Sequence, residues 1–156
     1  PRHVERIKSI INEFNTLKLN FVLYSNFKDL NSETDILLVD TYGDSSKFYG
    51  ISKSVFLGKS LIKPIKGKTG QNPIEPAGFG CKVFHGPNFN HFKEIYKYLE
   101  SIKATTQINS PEELGAGLME EFKNDKINNE IIKEIKNRGL YVLKNVIREI
   151  KVYINN

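Results

Sequence analysis

The stretch TGQNPIEPAGFG, residues 69–80, concentrates residue types that can handle an anionic ligand. Gly70 permits close backbone approach, while Asn72, Pro73 and Glu75 have the layout of an N-cap, a first helical residue and the third residue of a capping box. Pro76 disturbs that layout, because its missing N–H removes the first intrahelical bond back to Asn72. A helix start with unpaired N–H groups is a seat for phosphate. An ionised carboxylate beside it accepts two hydrogen bonds and can hold the paired hydroxyls of a ribose, so Glu75 has two readings, a cap for Asn72 or a ribose ligand. Just upstream, GKSLIKPIKGKTG carries Ser60 with Lys59, Lys63, Lys66 and Lys68, the strongest basic loop of the chain. The loop is neither a Walker A motif nor G-x-G-x-x-G.

These residues need elements to position them. HVERIKSIINEF has Val4, Ile7, Ile10, Ile11 and Phe14 at helical spacing, and NFVLYS then reads as a short buried strand. ILLVD at 36–40, SVFLG at 54–58 and CKVFHG at 81–86 are apolar runs suited to strands buried on both faces of a parallel sheet. GDSSKFYGIS between the first two predicts a helix of two to three turns, and HFKEIYKYLESI predicts another with Phe92, Ile95, Tyr96 and Leu99 on one face. TTQIN is a further strand. It leads to Ser110, Pro111 and Glu113, a cleaner capping box than the first. LGAGLMEEF and the segment from Asn129 onward finish the chain as helices, with a break expected near Gly139. Strands alternating with helices imply an α/β fold, a Rossmann-like open parallel sheet with helices on both faces. Such sheets bind ligands at the carboxyl ends of their strands, in loops such as DTYGD, GKSLIKPIKGKTGQN and HGPNFN.

Composition narrows the function classes. The 156 residues, 39% hydrophobic and 26% charged, suit one globular domain over 1–156 rather than a disordered or fibrous protein. The single cysteine, Cys81, makes no internal disulfide and reads as a small buried thiol. No apolar run approaches the roughly 20 residues needed to span a bilayer, so the chain is expected to be soluble. A net charge of +5 favours anionic partners, among which nucleotides, nucleic acid and acidic membranes stay open.

PRHVER (1–6), LLVDTYGD (37–44), FYGIS (48–52), FLGKSL (56–61), GQNPIEPAGFG (70–80) and HGPNFNHFKEI (85–95) occur in an order and spacing that resembles the C-terminal half of the Kdo (3-deoxy-D-manno-octulosonic acid) transferases. The resemblance runs to about residue 95 and implies the C-terminal domain of a two-domain GT-B glycosyltransferase, binding the donor CMP-Kdo. It places Arg2 and His3 against the donor, Thr41 and Gly43 under the nucleotide, Ser60 and Gly70 near the phosphate, and Asn72 and Glu75 in an NPxEP signature with Glu75 on the ribose. The chain departs from the family pattern at Tyr42 (usually Met), Lys59 (usually Gly), Gln71 (usually His) and His91 (usually Asn). In the family PRH closes a strand and another lies upstream, so this chain appears as a fragment without the first strands, expected to rearrange its sheet or self-associate.

The resemblance further implies transfer of Kdo from CMP to a glucosamine hydroxyl of a lipid A precursor, at the cytoplasmic face of the bacterial inner membrane. Acceptor, membrane anchor and the proposed carboxylate base belong to the N-terminal domain in that family. No catalytic residue is therefore expected among these 156, and the chain alone is expected to be inactive. No Asp-x-Asp metal motif is present, and helix ends with cations are expected to serve the phosphate without metal or other cofactor. Nucleic acid is not an expected partner. Two alternatives remain: a GT-B domain for another nucleotide sugar, which would prefer UDP to CMP, and a non-catalytic basic module, whose affinity would fall steeply with salt and ignore Glu75→Ala.

Overall fold

The computed structural model describes residues 4–26, 31–62, 70–123 and 128–154. They divide into two compact units, Pro1–Phe48 and Tyr49–Asn156.

In the first unit a 3-10 turn at Val4–Arg6 leads into helix α1 (Ile7–Thr16). The apolar stripe expected from its spacing brings Phe14 to Phe21, with ring centroids 5.5 Å apart. The helix stops in a Schellman turn: Leu19 N–H bonds Phe14 C=O at 3.0 Å and Lys18 N–H bonds Asn15 C=O at 3.2 Å, with Lys18 at φ 54°. Strands β1 (Phe21–Leu23) and β2 (Ile36–Leu38) pair in parallel, Phe21 opposite Ile36. Two carboxylates fasten this pair at its ends. Asp35 accepts Asn20 N–H at 2.9 Å, and Asp40 accepts the N–H and hydroxyl of Ser25 at 2.8 and 2.5 Å. Helix α2 (Ser45–Tyr49) follows, five residues where two to three turns were expected.

The second unit holds β3 (Ser54–Leu57), α3 (Ile74–Gly78), β4 (Lys82–His85), α4 (Lys93–Ser101), β5 (Thr105–Gln107), α5 (Pro111–Lys123) and α6 (Asn129–Ile154). The three strands form a parallel sheet in the order β3-β4-β5, with Leu57 opposite His85 and Val83 opposite Thr105. The described strands thus divide between two parallel sheets, of two and three strands, rather than forming one. Neighbouring residues of a strand point to opposite faces. Val83 enters the core with Leu57, Ala77, Tyr96, Leu99 and Ala104, against which Ile131 and Ile135 of α6 also pack. Phe84 lies against α5: a Cβ on Gly117 would fall 2.6 Å from its ring. Helices therefore cover both faces of this sheet, as the apolar strand runs required. Each fully buried Val or Leu of the core contributes roughly 1.5–3 kcal/mol.

The helix ends follow local chemistry. Helix α4 ends in a second Schellman turn, with Ala104 N–H on Leu99 C=O at 2.8 Å and Lys103 at φ 59°. At the start of α5, Ser110 accepts Glu113 N–H at 3.2 Å, and Glu113 reaches back to Asn109 N–H at 2.8 Å, one residue beyond the expected box partner. The break expected at Gly139 is absent, and α6 runs unbroken for 26 residues. A mid-helix glycine costs only about 1 kcal/mol relative to alanine, which good helix formers on either side offset. Beyond Gly139 the apolar residues Leu143, Val146, Ile147, Ile150 and Ile154 recur at helical spacing, with exposures from 43% for Ile147 to 76% for Ile154. Such a stripe seeks cover. The isolated 156-residue chain is expected to self-associate in multi-angle light scattering, and the double substitution Ile147→Lys, Ile150→Lys to return it to a monomer. A monomeric parent chain would refute this.

Candidate functional site

The loops leaving the carboxyl ends of β3 and β4 are joined through one buried side chain. Ser60, 0% exposed, donates its hydroxyl to Leu57 C=O at 2.5 Å and accepts Gly86 N–H at 2.9 Å. Its carbonyl accepts the backbone N–H of Asn88 at 2.8 Å and the Asn88 side-chain amide at 3.0 Å. The approach is so close that a Cβ on Gly86 would sit 2.3 Å from both Ser60 O and Leu61 Cα. A non-glycine residue there would force the backbones apart.

Gly70 joins the same arrangement. Its N–H bonds Lys59 C=O at 3.0 Å, its φ is 74°, and an added Cβ would fall 2.9 Å from Phe89 Cα. Both the left-handed backbone and the close approach require glycine. The next carbonyl, of Gln71, accepts the hydroxyl of Tyr96 at 3.0 Å. Burial drives the Tyr96 phenol up to about 12, against the weaker opposing effect of its Gln71 bond, so this hydroxyl stays a donor. Tyr96 stacks with His85 and Phe89 at centroid distances of 4.2 and 4.6 Å. His85 Nδ1 meets the Gly86 carbonyl at 2.8 Å. A carbonyl only accepts, so Nδ1 carries the proton.

The helix start expected in NPIEP forms by half. Asn72 Oδ1 accepts Ile74 N–H at 3.0 Å, as a cap would, and Ala77 N–H returns to Pro73 C=O at 3.2 Å. Pro73 holds the N-cap position of α3 without a side-chain bond. Pro73 and Pro76 are buried and rigidify this turn, whereas Glu75 is exposed and does not close the box on Asn72. The carboxylate is turned to solvent.

Ser60, Gly70, Asn72 and Glu75 thus belong to connected segments of the second unit. Thr41 and Gly43 belong to the first. There Thr41 donates its hydroxyl to Asp44 at 2.5 Å, Lys47 pairs with the same carboxylate at 2.6 Å, and Gly43 has φ 83°. The Lys47 and Thr41 bonds hold the Asp44 carboxyl below its ordinary range. Arg2, His3, Lys63, Lys66 and Lys68 lie outside the described residues. The part of Ser60 differs from a direct phosphate contact, since its hydroxyl is spent on Gly86 and Leu57. Sequence reasoning passed over Gly86, Asn88 and Tyr96; the flagged run HGPNFN contained the first two, but nothing local links Tyr96 to Gln71. Cys81 is the buried thiol expected, within 3.2 Å of the Tyr49 and Ser52 carbonyls, and burial raises its pKa.

The parallel sheet with helices on both faces and glycine-lined loops at its carboxyl edge defines a Rossmann-like α/β domain of the GT-B type. The chain is 31% identical over 143 residues to the 3-deoxy-D-manno-octulosonic acid transferase of Haemophilus influenzae, covering 92% of this chain and 32% of that protein. It is 35% identical over 153 residues to the enzyme of the same name from Rickettsia bellii, covering 97% of this chain and 34% of the relative. Among solved structures it matches the C-terminal CMP-Kdo binding domain of WaaA from Acinetobacter baumannii with a TM-score of 0.77 and 21% identity, over 88% of this chain and 69% of that one. No protein-family model matches. The chain is related to the Kdo transferases and corresponds to their C-terminal domain, spanning about a third of the length of these curated relatives.

Two residues give measurable consequences. Lys59 has φ 59° and is exposed. A side chain in this conformation costs about 1 kcal/mol, so Lys59→Gly is expected to stabilise the chain by about that amount in urea denaturation; destabilisation would contradict the assignment. His85 is 3% exposed, and burial lowers its pKa against the opposing Gly86 bond and Glu100 charge. The unfolded chain therefore binds the proton more readily, so stability falls as pH drops through the unperturbed value of 6.5 and levels off below the folded value. Denaturation at several pH values should show this slope in the parent chain and lose it in His85→Gln; an unchanged slope would assign it elsewhere.

Proposed function

We propose that this chain is the CMP-Kdo-binding domain of a transferase that moves Kdo from CMP-Kdo to a lipid A precursor in lipopolysaccharide synthesis. The observation that carries the reading is the NPIEP turn, which keeps Glu75 exposed beside Asn72 in a chain related to Kdo transferases. In this reading the Glu75 carboxylate accepts both ribose hydroxyls. Gly70 and Asn72 border the phosphate; for Thr41 and Gly43 at the nucleotide, and for Arg2 and His3 at the phosphate or the sugar acid, the support is the sequence resemblance alone. Ser60 acts by holding the Gly86 loop rather than by touching the donor. Gln71 presents its amide close to Gly58, 4.0 Å from the point a Cβ there would occupy, and takes the place of the family's histidine.

Transfer proceeds by one displacement with inversion. The acceptor hydroxyl attacks the anomeric carbon, its bond to the phosphate oxygen breaks, CMP leaves with the electron pair, and the acceptor proton passes to a base. That base, with the acceptor site and membrane attachment, belongs to the N-terminal domain of such enzymes. Backbone N–H groups and cations rather than a metal offset the charge growing on the departing phosphate. Among the described residues no helix is long and apolar enough to cross a membrane; the full enzyme would work at the cytoplasmic face of the inner membrane.

Calorimetric titration tests the donor assignment. CMP is expected to bind more tightly than UDP, and Glu75→Ala to weaken CMP by about tenfold or more, as for loss of a charge-assisted pair of bonds. The chain alone is expected to give no turnover with CMP-Kdo and a lipid A precursor. A preference for UDP would favour a different GT-B donor, while binding that falls steeply with salt and ignores Glu75→Ala would mark a basic module.

A further inference from the structure

Tyr96 is 1% exposed and too buried to touch a ligand, yet its hydroxyl reaches out of α4 to donate to the Gln71 carbonyl at 3.0 Å. Its ring lies in the core with Leu99 of α4, Ala77 of α3 and Val83 of β4. It also stacks with Phe89, whose Cα lies against Gly70. The hydroxyl is the polar end of an otherwise apolar anchor, and the anchor holds the backbone just ahead of the NPIEP turn.

The Gln71 carbonyl belongs to the planar peptide that joins Gln71 to Asn72, so fixing that oxygen fixes the plane from which the turn departs. Few soft torsions separate this plane from Glu75. Asn72 precedes a proline, which biases its backbone to extended conformations. The ring of Pro73 restricts its own φ, −87° here. Ile74 N–H is held by Asn72 Oδ1 at 3.0 Å, and Ile74–Gly78 is helical, with Ala77 N–H on Pro73 C=O at 3.2 Å. A displacement at the Gln71 carbonyl is therefore passed on to Glu75 rather than absorbed on the way. Direction matters there, because a carboxylate that accepts two neighbouring hydroxyls at once tolerates less misplacement than one making a single contact.

We propose that Tyr96 is a positioning residue for ribose recognition: through the Gln71 carbonyl it sets the direction of the Glu75 carboxylate, and so helps the site select nucleotides that carry both ribose hydroxyls. This role rests on the donor reading above and adds to it a side chain that the donor does not touch. Calorimetric titration of the parent chain, Tyr96→Phe, Glu75→Ala and the double variant with CMP and with 2′,3′-dideoxycytidine 5′-monophosphate tests it. Tyr96→Phe keeps the ring and its stacking and removes only the hydroxyl. It is expected to weaken CMP by roughly three- to tenfold, through loss of a preorganised turn. The dideoxy nucleotide offers Glu75 no hydroxyls and is expected to bind the parent and Tyr96→Phe equally, which also shows the variant to be folded. In the Glu75→Ala background the same substitution is expected to have no further effect on CMP. An unchanged CMP affinity in Tyr96→Phe would overturn the role and leave the donor reading in place. So would equal weakening of both nucleotides, or effects of the two substitutions that simply add, either of which would make the bond a support of the fold alone. A parent chain that binds CMP no better than the dideoxy nucleotide, or binds neither, would overturn the ribose reading of Glu75 and this role with it.

Discussion

The hydroxyl of Ser60, taking the Gly86 N–H and donating to the Leu57 carbonyl, ties together the loops that leave the carboxyl ends of β3 and β4. Every neighbouring feature assumes it. With Ser60 fully buried, a lost hydroxyl would strand the Gly86 N–H without a partner, at a cost of about 1–3 kcal/mol. Gly86 has no side chain because the Ser60 and Leu61 backbone occupies that space, and Asn88 then returns both its backbone and side-chain N–H groups to the Ser60 carbonyl. Gly70 packs on Phe89 from the other side, and the Tyr96 hydroxyl holds Gln71, so the approach to Asn72 and Glu75 rests on a rigid base. A turn held in this way can keep a carboxylate in solvent.

The strands of the second unit were legible because a parallel strand covered on both faces must be apolar throughout, and SVFLG and CKVFHG have that form. The start of α5 was legible for a local reason, since Ser110 and Glu113 carry their own hydrogen-bonding instructions. Gly139 misled, because glycine weakens a helix without ending it unless a turn or tertiary contact takes up the freed chain. The capping box in NPIEP misled by half: Asn72 bonds as its type and position suggest, but two buried prolines fix the turn and leave Glu75 outward. The Tyr96 bond to Gln71 joins residues 25 apart and depends on how α4 packs, which no local pattern encodes.

The three lysines at positive φ among the described residues are explained by the turns they occupy. Lys18 and Lys103 end helices in Schellman turns, where the backbone bonds made by the turn outweigh the cost of a side chain in the left-handed region. Lys59 stands instead in the loop after β3, where its carbonyl receives the Gly70 N–H. The same residue that strains the loop therefore takes part in closing it, and a glycine at this position would relax the same turn.

The central claim is that the carboxyl edge of β3 and β4, framed by Ser60 and ending in the NPIEP turn, holds a cytidine nucleotide. The most direct measurement is a backbone amide NMR map of the chain titrated with CMP. The account predicts saturable shifts concentrated at Ser60, Gly70, Asn72, Glu75 and Gly86, with Lys53, Lys82 and Lys103 at the other edge much less affected. Shifts confined to that other edge, or no saturable shift at the NPIEP turn, would contradict it.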